Sequence, residues 1–517
     1  MMLRRPLVPL VVTCAASTLL FCFLPSLYAL SAVGIFVFGF LSVRHGGKKS
    51  VYAVLCLIML FLSGYPLLYE NARGPKEALF SEQTEYRGTV QAVTYGKYTS
   101  SVYVRLTDGE YDGELCRITV QNKSGVPSLF ETIRFYGTVL PVRKAVFGED
   151  LYRLYSKNVR LCATDVYDWT PTAPLPRENS FRRRVYFRLR HRIFEMTDGD
   201  TQAMVSALLT SDRTGLSKER TDAFRRAGLY PFLCISGVHV MLTVGLLRRL
   251  LVKRRVPLWI QVPLLTAFLC AFVTVGGASG SVLRAGIMAA VMWIAPILTR
   301  QNGTVEYDSV SALCLAFLIL WLGNPYMPYD LGTVLSFIAA LGVIMASELR
   351  RDMPPPGMGK YLFPSLCASV YATGFTSLLC VASIGGVALL SPFSNLAAGA
   401  VFAPTMGCVT ITALLCLLPS CAAVDAVLRL FALISRVLLH VFEAIARVFA
   451  AVPHGYVEVS LPWELIILLS VGCFVPLIYC LAFCEREARS RAAFAAALIP
   501  YGTVLLSALY GGISEFL

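Results

Sequence analysis

Charged side chains are scarce in this chain of 517 residues, where Asp, Glu, Lys and Arg make up 15% and apolar types 56%. Ordinary soluble proteins carry about 25% charged residues. A soluble core cannot absorb so much apolar surface, whereas lipid can. The scarcity of charge therefore excludes an ordinary soluble globular protein and indicates an integral membrane protein.

Signatures of metal and nucleotide chemistry are also missing. The sequence has five histidines, and it has no Cys-x-x-Cys pair or Cys/His run with the spacing of a metal site. It has no GxxxxGK[ST] phosphate-binding loop, so the energy for any transport would come from outside this chain. We therefore predict no metal and no other cofactor, and we find no complete catalytic site.

Long apolar segments recur along the chain, each near the length of about 20 residues that crosses a bilayer. The candidate spans are 7–25, 27–43, 51–69, 228–247, 256–275, 281–299, 306–323, 331–348, 362–385, 392–418, 425–450, 462–483 and 493–512. Apolar segments follow the first almost without a break, so it is not a cleavable signal peptide on its own. The pattern predicts a polytopic α-helical membrane protein.

The net charge of +14 is concentrated between the spans. Lys and Arg cluster at 4–5, 44–49, 248–255, 350–351 and 486–491. Basic residues gather in loops left in the cytoplasm. Counting spans between these clusters places residues 70–200 outside the cytoplasm.

That external segment has a different pattern, because short alternating runs replace the helical apolar character. The runs are Tyr86–Tyr95, Ser101–Leu106, Glu114–Gln121, Glu131–Leu140 and Asn158–Tyr167. Five short strands in so short a segment predict a small β-barrel of the oligonucleotide-binding (OB) type. Its aromatic and basic residues are of the kind that hold single strands, although strand packing and solvated charge explain them more simply.

The chain thus divides into N-terminal transmembrane helices (1–69), an external OB-like domain (70–175), an arginine-rich helix (176–200) and the main transmembrane domain (201–517). Only two cysteines, Cys116 and Cys162, fall in the external domain, each inside a predicted strand. In an oxidising compartment they would be the expected disulfide pair.

The arginine-rich segment reads as an amphipathic helix. Phe181, Val185, Leu189 and Ile193 recur every four positions and form one stripe. The arginines between them are Arg182, Arg183, Arg184, Arg188, Arg190 and Arg192. Such a helix would rest on a membrane surface. The arginines would either anchor it to anionic headgroups or form a positive collar at an entrance for a polyanion.

A polar group interrupts the apolar run from 207 to 246. Ser236 and His239 are three residues apart and would share a helix face, and Gly237 between them weakens a helix. A nucleophile and base at this spacing rarely have hydrolase geometry, so a polar contact that lines or fixes a pore is favoured. We expect a broken or bent helix around Gly237.

The order of motifs resembles the ComEC family of competence proteins. The matching stretches are Ala207–Arg213 (ALxxGD type), Gly228–Val240 (ISGLHV type), Gly280–Met288 (PSxxRA type), Asn324-Pro325 with Asp330–Phe337 (NP…DxGFxLSF type), and Ser394-Asn395-Leu396. Departures from the pattern are Ser211 for glycine, Pro231 for histidine and Thr333 for phenylalanine.

The resemblance implies an inner-membrane channel that moves single-stranded DNA into the cytoplasm. Its polar path would include Ser236, Gly237, His239, Arg284, Asp330, Ser336 and Asn395. We expect these polar groups to meet in the membrane, because scattered they would each carry a desolvation cost. Arg284 would contact a phosphate, pair with Asp330 or snorkel, and Asp330 fits a helix cap.

Many family members also carry a metallo-β-lactamase-like domain, which needs an HxHxDH-type run. The sequence has no such run. We therefore expect no strand hydrolysis by this chain. The implied partners are single-stranded DNA, membrane lipid, a DNA receptor, a cytoplasmic helicase and a separate nuclease. Two alternatives stay open: a permease for a small anionic or amphipathic solute, and an intramembrane enzyme that uses His239.

Overall fold

The structure is a computed structural model that describes Arg5, residues 7–23, a few positions between 58 and 69, and, with short gaps, residues 84–514. The predicted span 27–43 and most of 51–69 lie outside the described residues.

Helices dominate the described part of the chain. In chain order they are α1 (Leu7–Phe23), α2 (Val142–Ala145), α3 (Glu149–Ser156), α4 (Phe181–Met196), α5 (Gly199–Thr210), α6 (Lys218–Arg226), α7 (Gly237–Lys253), α8 (Leu258–Gly276), α9 (Gly280–Asn302), α10 (Ser309–Gly323), α11 (Leu331–Arg350), α12 (Gly359–Ile384), α13 (Ser391–Leu417), α14 (Ala422–Ala450), α15 (Trp463–Phe483) and α16 (Arg486–Ser514). Single 3₁₀ turns lie at Tyr230–Leu233 and Met327–Tyr329.

Five helical segments in the described residues are long and apolar enough to cross a membrane. They are Leu258–Gly276, Leu331–Glu348, Leu362–Ile384, Ser391–Leu417 and Glu464–Ala482. Shorter apolar helices at Gly280–Ile294 and Ser309–Gly323 accompany them. The chain is therefore a membrane protein with several helical spans, as its composition predicted.

The five predicted strands and one further short strand, β6, form one sheet, which we call the β domain (residues 84–171). Its strands are β1 (Thr84–Tyr95), β2 (Thr99–Leu106), β3 (Leu115–Gln121), β4 (Thr132–Pro141), β5 (Leu161–Thr164) and β6 (Trp169–Pro171). The order is β1-β2-β3-β5-β4-β6, and β4 also pairs with β1. The β3–β5 pairing is parallel and the others are antiparallel. This arrangement is consistent with the predicted OB-like domain.

Alternation along the strands builds the core of the β domain. Val102, Val104, Ile118, Ile133 and Phe135 are fully buried in one cluster, as expected when successive side chains point to opposite faces of a sheet. Two further short strands, β7 (Gly386–Ala388) and β8 (Tyr456–Glu458), pair with each other in the helical region.

The predicted disulfide is wrong, because Cys116 and Cys162 are both free thiols in the structure. In the parallel β3–β5 pair, Cys116 lies opposite Leu161 and Cys162 lies opposite Arg117. An offset of one residue puts two side chains on opposite faces of a sheet. Cys116 accordingly belongs to the core of the β domain, whereas Cys162 packs with Tyr155 and other residues on the other face.

We expect both thiols to resist alkylation in the folded protein. Burial raises the pKa of the Cys116 thiol and of the Cys162 thiol, which lowers the fraction of reactive thiolate at neutral pH. Mass spectrometry after maleimide treatment should show slow labelling at both positions, and full labelling in denaturant without reductant. A denatured chain that gains these two labels only after reduction would contradict the free-thiol assignment.

The apolar stripe of α4 packs against protein, not against a membrane surface as we expected. Val185, Leu189 and Ile193 are buried in a cluster that also contains Phe402 of α13 and Phe442 of α14. The four-residue period was therefore assigned correctly to one face of a helix. Its apolar partner is the helical domain, because α13 and α14 present matching apolar surfaces.

α10 has the β domain at one end and an ion-pair network at the other. At its N-terminus Asp308 forms an ion pair with Arg5 at 2.9 Å, and Arg5 forms a second ion pair with Glu348 of α11 at 3.0 Å. At its C-terminus Asn324 hydrogen-bonds the main chain of α3 in the β domain. The β domain and the Arg5 network thus lie at opposite ends of this helix.

Candidate functional site

The helix predicted over 228–247 is broken at the expected place. The 3₁₀ turn Tyr230–Leu233 is followed by extended backbone at Cys234 and Ser236, and α7 begins at Gly237. The break leaves the first N–H groups of α7 without intrahelical partners. A helix start within an apolar segment therefore needs local acceptors, and Ser236 and His239 lie beside it.

His239 helps to cap the N-terminus of α7, as the third helical residue of a capping box that begins at Ser236. Its Nδ1 accepts the backbone N–H of Ser236 at 3.2 Å and lies 3.0 Å from the Ser236 hydroxyl. Because Nδ1 accepts a hydrogen bond, the neutral ring carries its proton on Nε2. The side chain is fully buried and packs edge-on against Phe402 at 5.1 Å between ring centroids. This role needs a histidine, glutamate or glutamine type acceptor at this position, and it explains the Ser-x-x-His spacing.

The geometry of Ser236 and His239 also concerns the alternative that this chain is an intramembrane enzyme that uses His239. Ser236 and His239 are within hydrogen-bond reach, but Nδ1 is shared with the helix cap. Among the described residues no carboxylate accepts a hydrogen bond from Nε2, so none there orients the ring as in a catalytic triad.

We predict that His239→Ala lowers the free energy of unfolding by about 2 kcal/mol, because it removes a cap acceptor and leaves a cavity. His239→Gln should keep more than half of that stability, since glutamine serves at this position of a capping box. Thermal unfolding of both variants in lipid nanodiscs measures the difference. Equal losses in the two variants would rule out the capping role.

Arg284 lies on the first turns of α9 and is 9% exposed. Its Nε donates to the Ser336 hydroxyl at 3.1 Å, and its Nη1 lies 3.5 Å from Met288 Sδ. The guanidinium stands 5.8 Å from the centre of the Phe337 ring. No carboxylate in the described part of the chain forms an ion pair with it.

Two glycines let the N-termini of three helices meet at this arginine. A Cβ on Gly237, at the start of α7, would lie 2.7 Å from Arg284 Nη2. A Cβ on Gly280, at the start of α9, would collide with Thr333 on the first turn of α11. Ser281 and Ser336 join α9 and α11 through hydroxyls 2.8 Å apart. We call Ser236, Gly237, Ser281, Arg284 and Ser336 the polar cluster.

Among the described residues, Thr333 connects Asp330 to the helix ends that carry the polar cluster. The Asp330 carboxylate accepts the Thr333 backbone N–H at 3.1 Å and also the Thr333 hydroxyl, which is the helix-capping role considered from the sequence. Thr333, where the family pattern has phenylalanine, is 2% exposed and packs against Gly280. The small side chain at this position fits the close approach of α9 and α11.

Asn395 does not join this network. Its amide donates to the Ser369 hydroxyl of α12 at 3.0 Å. The preceding Ser394 is fully buried and donates to the Ala227 carbonyl at 2.6 Å. This motif therefore connects α13 to α12 and to the end of α6.

Two arginines of α4, Arg183 and Arg192, bind other parts of the protein and are not free to form a collar. Arg183 donates to Thr132 of the β domain at 2.9 Å, Arg190 reaches Tyr186 at 3.4 Å, and Arg192 binds the Leu418 carbonyl at 2.9 Å and Asp425. Arg188 donates to the same carbonyl at 3.2 Å and is exposed, as is Arg184. The side chain of Arg182 is outside the described part.

A docking contact between the β domain and the helical domain was missed from the sequence. The Asn324 amide donates to the carbonyls of Tyr155 and Ser156 at 2.9 and 3.1 Å, and to Asn158 Oδ1 at 3.2 Å. Tyr326 packs against Tyr155 with ring centroids 5.3 Å apart. We call these contacts the α3 seat. Asn324 belongs to one of the motifs that resemble the family pattern, but nothing in the sequence indicated that it would bind the β domain.

A second contact holds the β domain from the side of α4. Phe130, just before β4, packs edge-on against Tyr186 at 5.2 Å. The Tyr186 hydroxyl donates to Asp212, the buried acid of the ALxxGD-type stretch. Burial and the nearby Asp212 carboxylate raise the pKa of Tyr186. Two motif residues, Asp212 and Asn324, thus serve the docking of the β domain.

Comparison with known proteins identifies the family of the helical domain. Residues 208–483 match the Competence protein family. ComE operon protein 3 of Bacillus subtilis (strain 168) is 31% identical over 187 residues, which are 35% of this chain and 23% of that protein. The matched region thus spans less than a quarter of that relative. No solved structure matches the chain. Because the family match covers more than half of the 517 residues, this chain belongs to the Competence protein family.

Proposed function

We propose that this protein is a channel in the cytoplasmic membrane that conducts single-stranded DNA into the cell during DNA uptake. The membership in the Competence protein family supports a role in DNA uptake. The membrane-spanning helices would provide the route. The β domain would stand on the outer side, where the charge distribution of the sequence places it.

One observation carries the proposal: the β domain docks on the segment that leads directly into α11, a helix that contributes Ser336 to the polar cluster. The α3 seat at Asn324 and Tyr326 lies immediately before α11, and the first two turns of α11 carry Thr333 and Ser336. A strand held by the β domain would therefore be delivered to the N-termini of α7, α9 and α11. Helix N-termini attract anions, and a DNA backbone is a polyanion.

Exposed arginines add positive charge on the side of the β domain, from which a strand would approach the N-termini of α7, α9 and α11. Arg184 and Arg188 of α4 are exposed beside the β domain contact. They would contribute to attraction of DNA without reading its sequence, because phosphate contacts carry no sequence information. Membrane lipid, a DNA receptor, a helicase and a separate nuclease would complete the uptake process.

Import of labelled DNA by cells tests the proposal. Cells that lack this protein should fail to accumulate internal single-stranded DNA, while DNA bound at their surface stays near the normal level. Return of the full chain should restore import. Normal DNA import in the deficient cells, together with loss of transport of one small anionic solute, would overturn the channel and favour a permease.

A further inference from the structure

We propose that the polar cluster is an oxyanion site, in which Arg284 and the N-terminus of α7 together bind a phosphodiester oxygen of the translocated strand. This inference rests on the proposed function for the source of the phosphodiester. The site itself follows from the charges and distances around Arg284.

Positive groups face one another across this cluster, and no carboxylate of the described residues forms an ion pair with Arg284. Arg284 Nη2 approaches the position that a side chain on Gly237 would occupy, at the positive end of α7. Arg284 also stands near the positive end of its own helix, because α9 begins at Gly280. A buried guanidinium beside two positive helix ends is electrostatically unfavourable until an anion binds next to them.

The nearby acid does not compensate this charge. Asp330 caps α11 and accepts both hydrogen bonds of Thr333. Arg284 donates to the Ser336 hydroxyl and the Met288 sulfur, and within the described residues Nη2 has no acceptor. Two neutral acceptors leave most of the five guanidinium N–H donors available.

The remaining groups of the cluster are the types that bind an oxyanion. Ser236, Ser281 and Ser336 supply hydroxyls and are partly exposed, as is Gly237. Val238, the second residue of α7, is 49% exposed. A phosphodiester could reach the start of α7 from this side while Arg284 binds it from within. Guanidinium matches phosphate oxygens with two parallel hydrogen bonds, which lysine cannot do.

Binding of an oligothymidylate to the full-length protein in nanodiscs tests this assignment through its dependence on salt. For single strands, each phosphate neutralised contributes about 0.7 to the slope of log affinity against log salt. Arg284→Gln should reduce that slope by about 0.7, and Arg284→Lys should keep the slope with weaker affinity. Arg249→Gln, which removes an exposed arginine near the other end of α7, is the matched control and should leave the slope unchanged.

Stabilisation by inorganic phosphate tests the oxyanion site without the use of DNA. At matched ionic strength, phosphate should raise the melting temperature of the wild type and of Arg249→Gln relative to chloride, and raise that of Arg284→Gln less. Equal phosphate stabilisation in all three proteins would overturn the site, whatever the DNA result. If wild-type protein binds no DNA but shows the Arg284-dependent phosphate effect, the site stands and the proposed function fails.

A lipid headgroup carries the same phosphodiester chemistry, and native mass spectrometry distinguishes it. If Arg284→Gln retains one phospholipid fewer than the control, with an unchanged DNA salt slope, the oxyanion site is upheld and the DNA backbone is excluded as its occupant. If neither the retained lipid, the salt slope nor the phosphate effect changes in Arg284→Gln, the proposal is wrong.

Discussion

Replacement of Arg284 with methionine should reduce DNA import by roughly 100-fold while the protein remains folded. Truncating one member of a buried charged contact costs about 3 kcal/mol, and this corresponds to about two powers of ten in rate or affinity. The Arg284 side chain contacts Ser336 and Met288 but no carboxylate of the described residues. The variant also loses the Ser336 hydrogen bond, but the charged contact that it would lose is the proposed one with the translocated anion.

The stability of this variant separates a functional role from a structural one. Without its anion, Arg284 is a buried charge that has no ion-pair partner among the described residues, and an apolar side chain of similar length removes that cost. We expect the free energy of unfolding to stay level or to rise by about 1–3 kcal/mol. Circular dichroism melts in nanodiscs measure it. A variant that loses both import and several kcal/mol of stability would show that Arg284 mainly supports the fold.

Replacement of Asn324 with leucine should release α3 from the helical domain. The change removes three hydrogen bonds to Tyr155, Ser156 and Asn158, and one from the Tyr326 backbone N–H to Asn324. Buried carbonyls left without donors make the loss about 3 kcal/mol. The β domain would then lose its position on the segment that leads into α11, and DNA import should fall about tenfold.

Hydrogen exchange detects this release directly. Backbone amides of 149–159 should exchange faster in Asn324→Leu, because their contact with the helical domain opens more often. Asn122→Leu is the control, since Asn122 bonds to Ser100 within the β domain. Unchanged protection of 149–159 in Asn324→Leu would mean that the tyrosine contacts alone hold the seat.

The sequence predicted the classes of structure well, because hydropathy and alternation report directly on burial. In the described part of the chain the apolar runs form helices, the alternating runs from Tyr86 onward form strands of the β domain, and Gly237 lies at a helix break. Each of these features depends on neighbours along the chain, whose spacing the sequence shows.

Contacts between distant segments were harder to predict. The apolar residues of α4 have the four-residue spacing expected of a helix on a membrane surface. A helix with the same spacing packs equally well on other helices, and here it packs on Phe402 and Phe442. Cys116 and Cys162 lie on adjacent strands, yet a one-residue register places their side chains on opposite faces. The partners of Asn324 and of Asn395 likewise depend on tertiary packing, which local sequence patterns do not report.

Import into proteoliposomes tests the central claim most directly. Purified full-length protein would be reconstituted with a single-strand-binding protein trapped inside as a sink, and labelled oligothymidylate would be added outside. The wild type and Arg249→Gln should accumulate oligonucleotide that is protected from added nuclease, and Arg284→Met should accumulate roughly 100-fold less. Equal protection in all three proteins, or no protection above protein-free vesicles in the wild type, would contradict a DNA channel that uses Arg284.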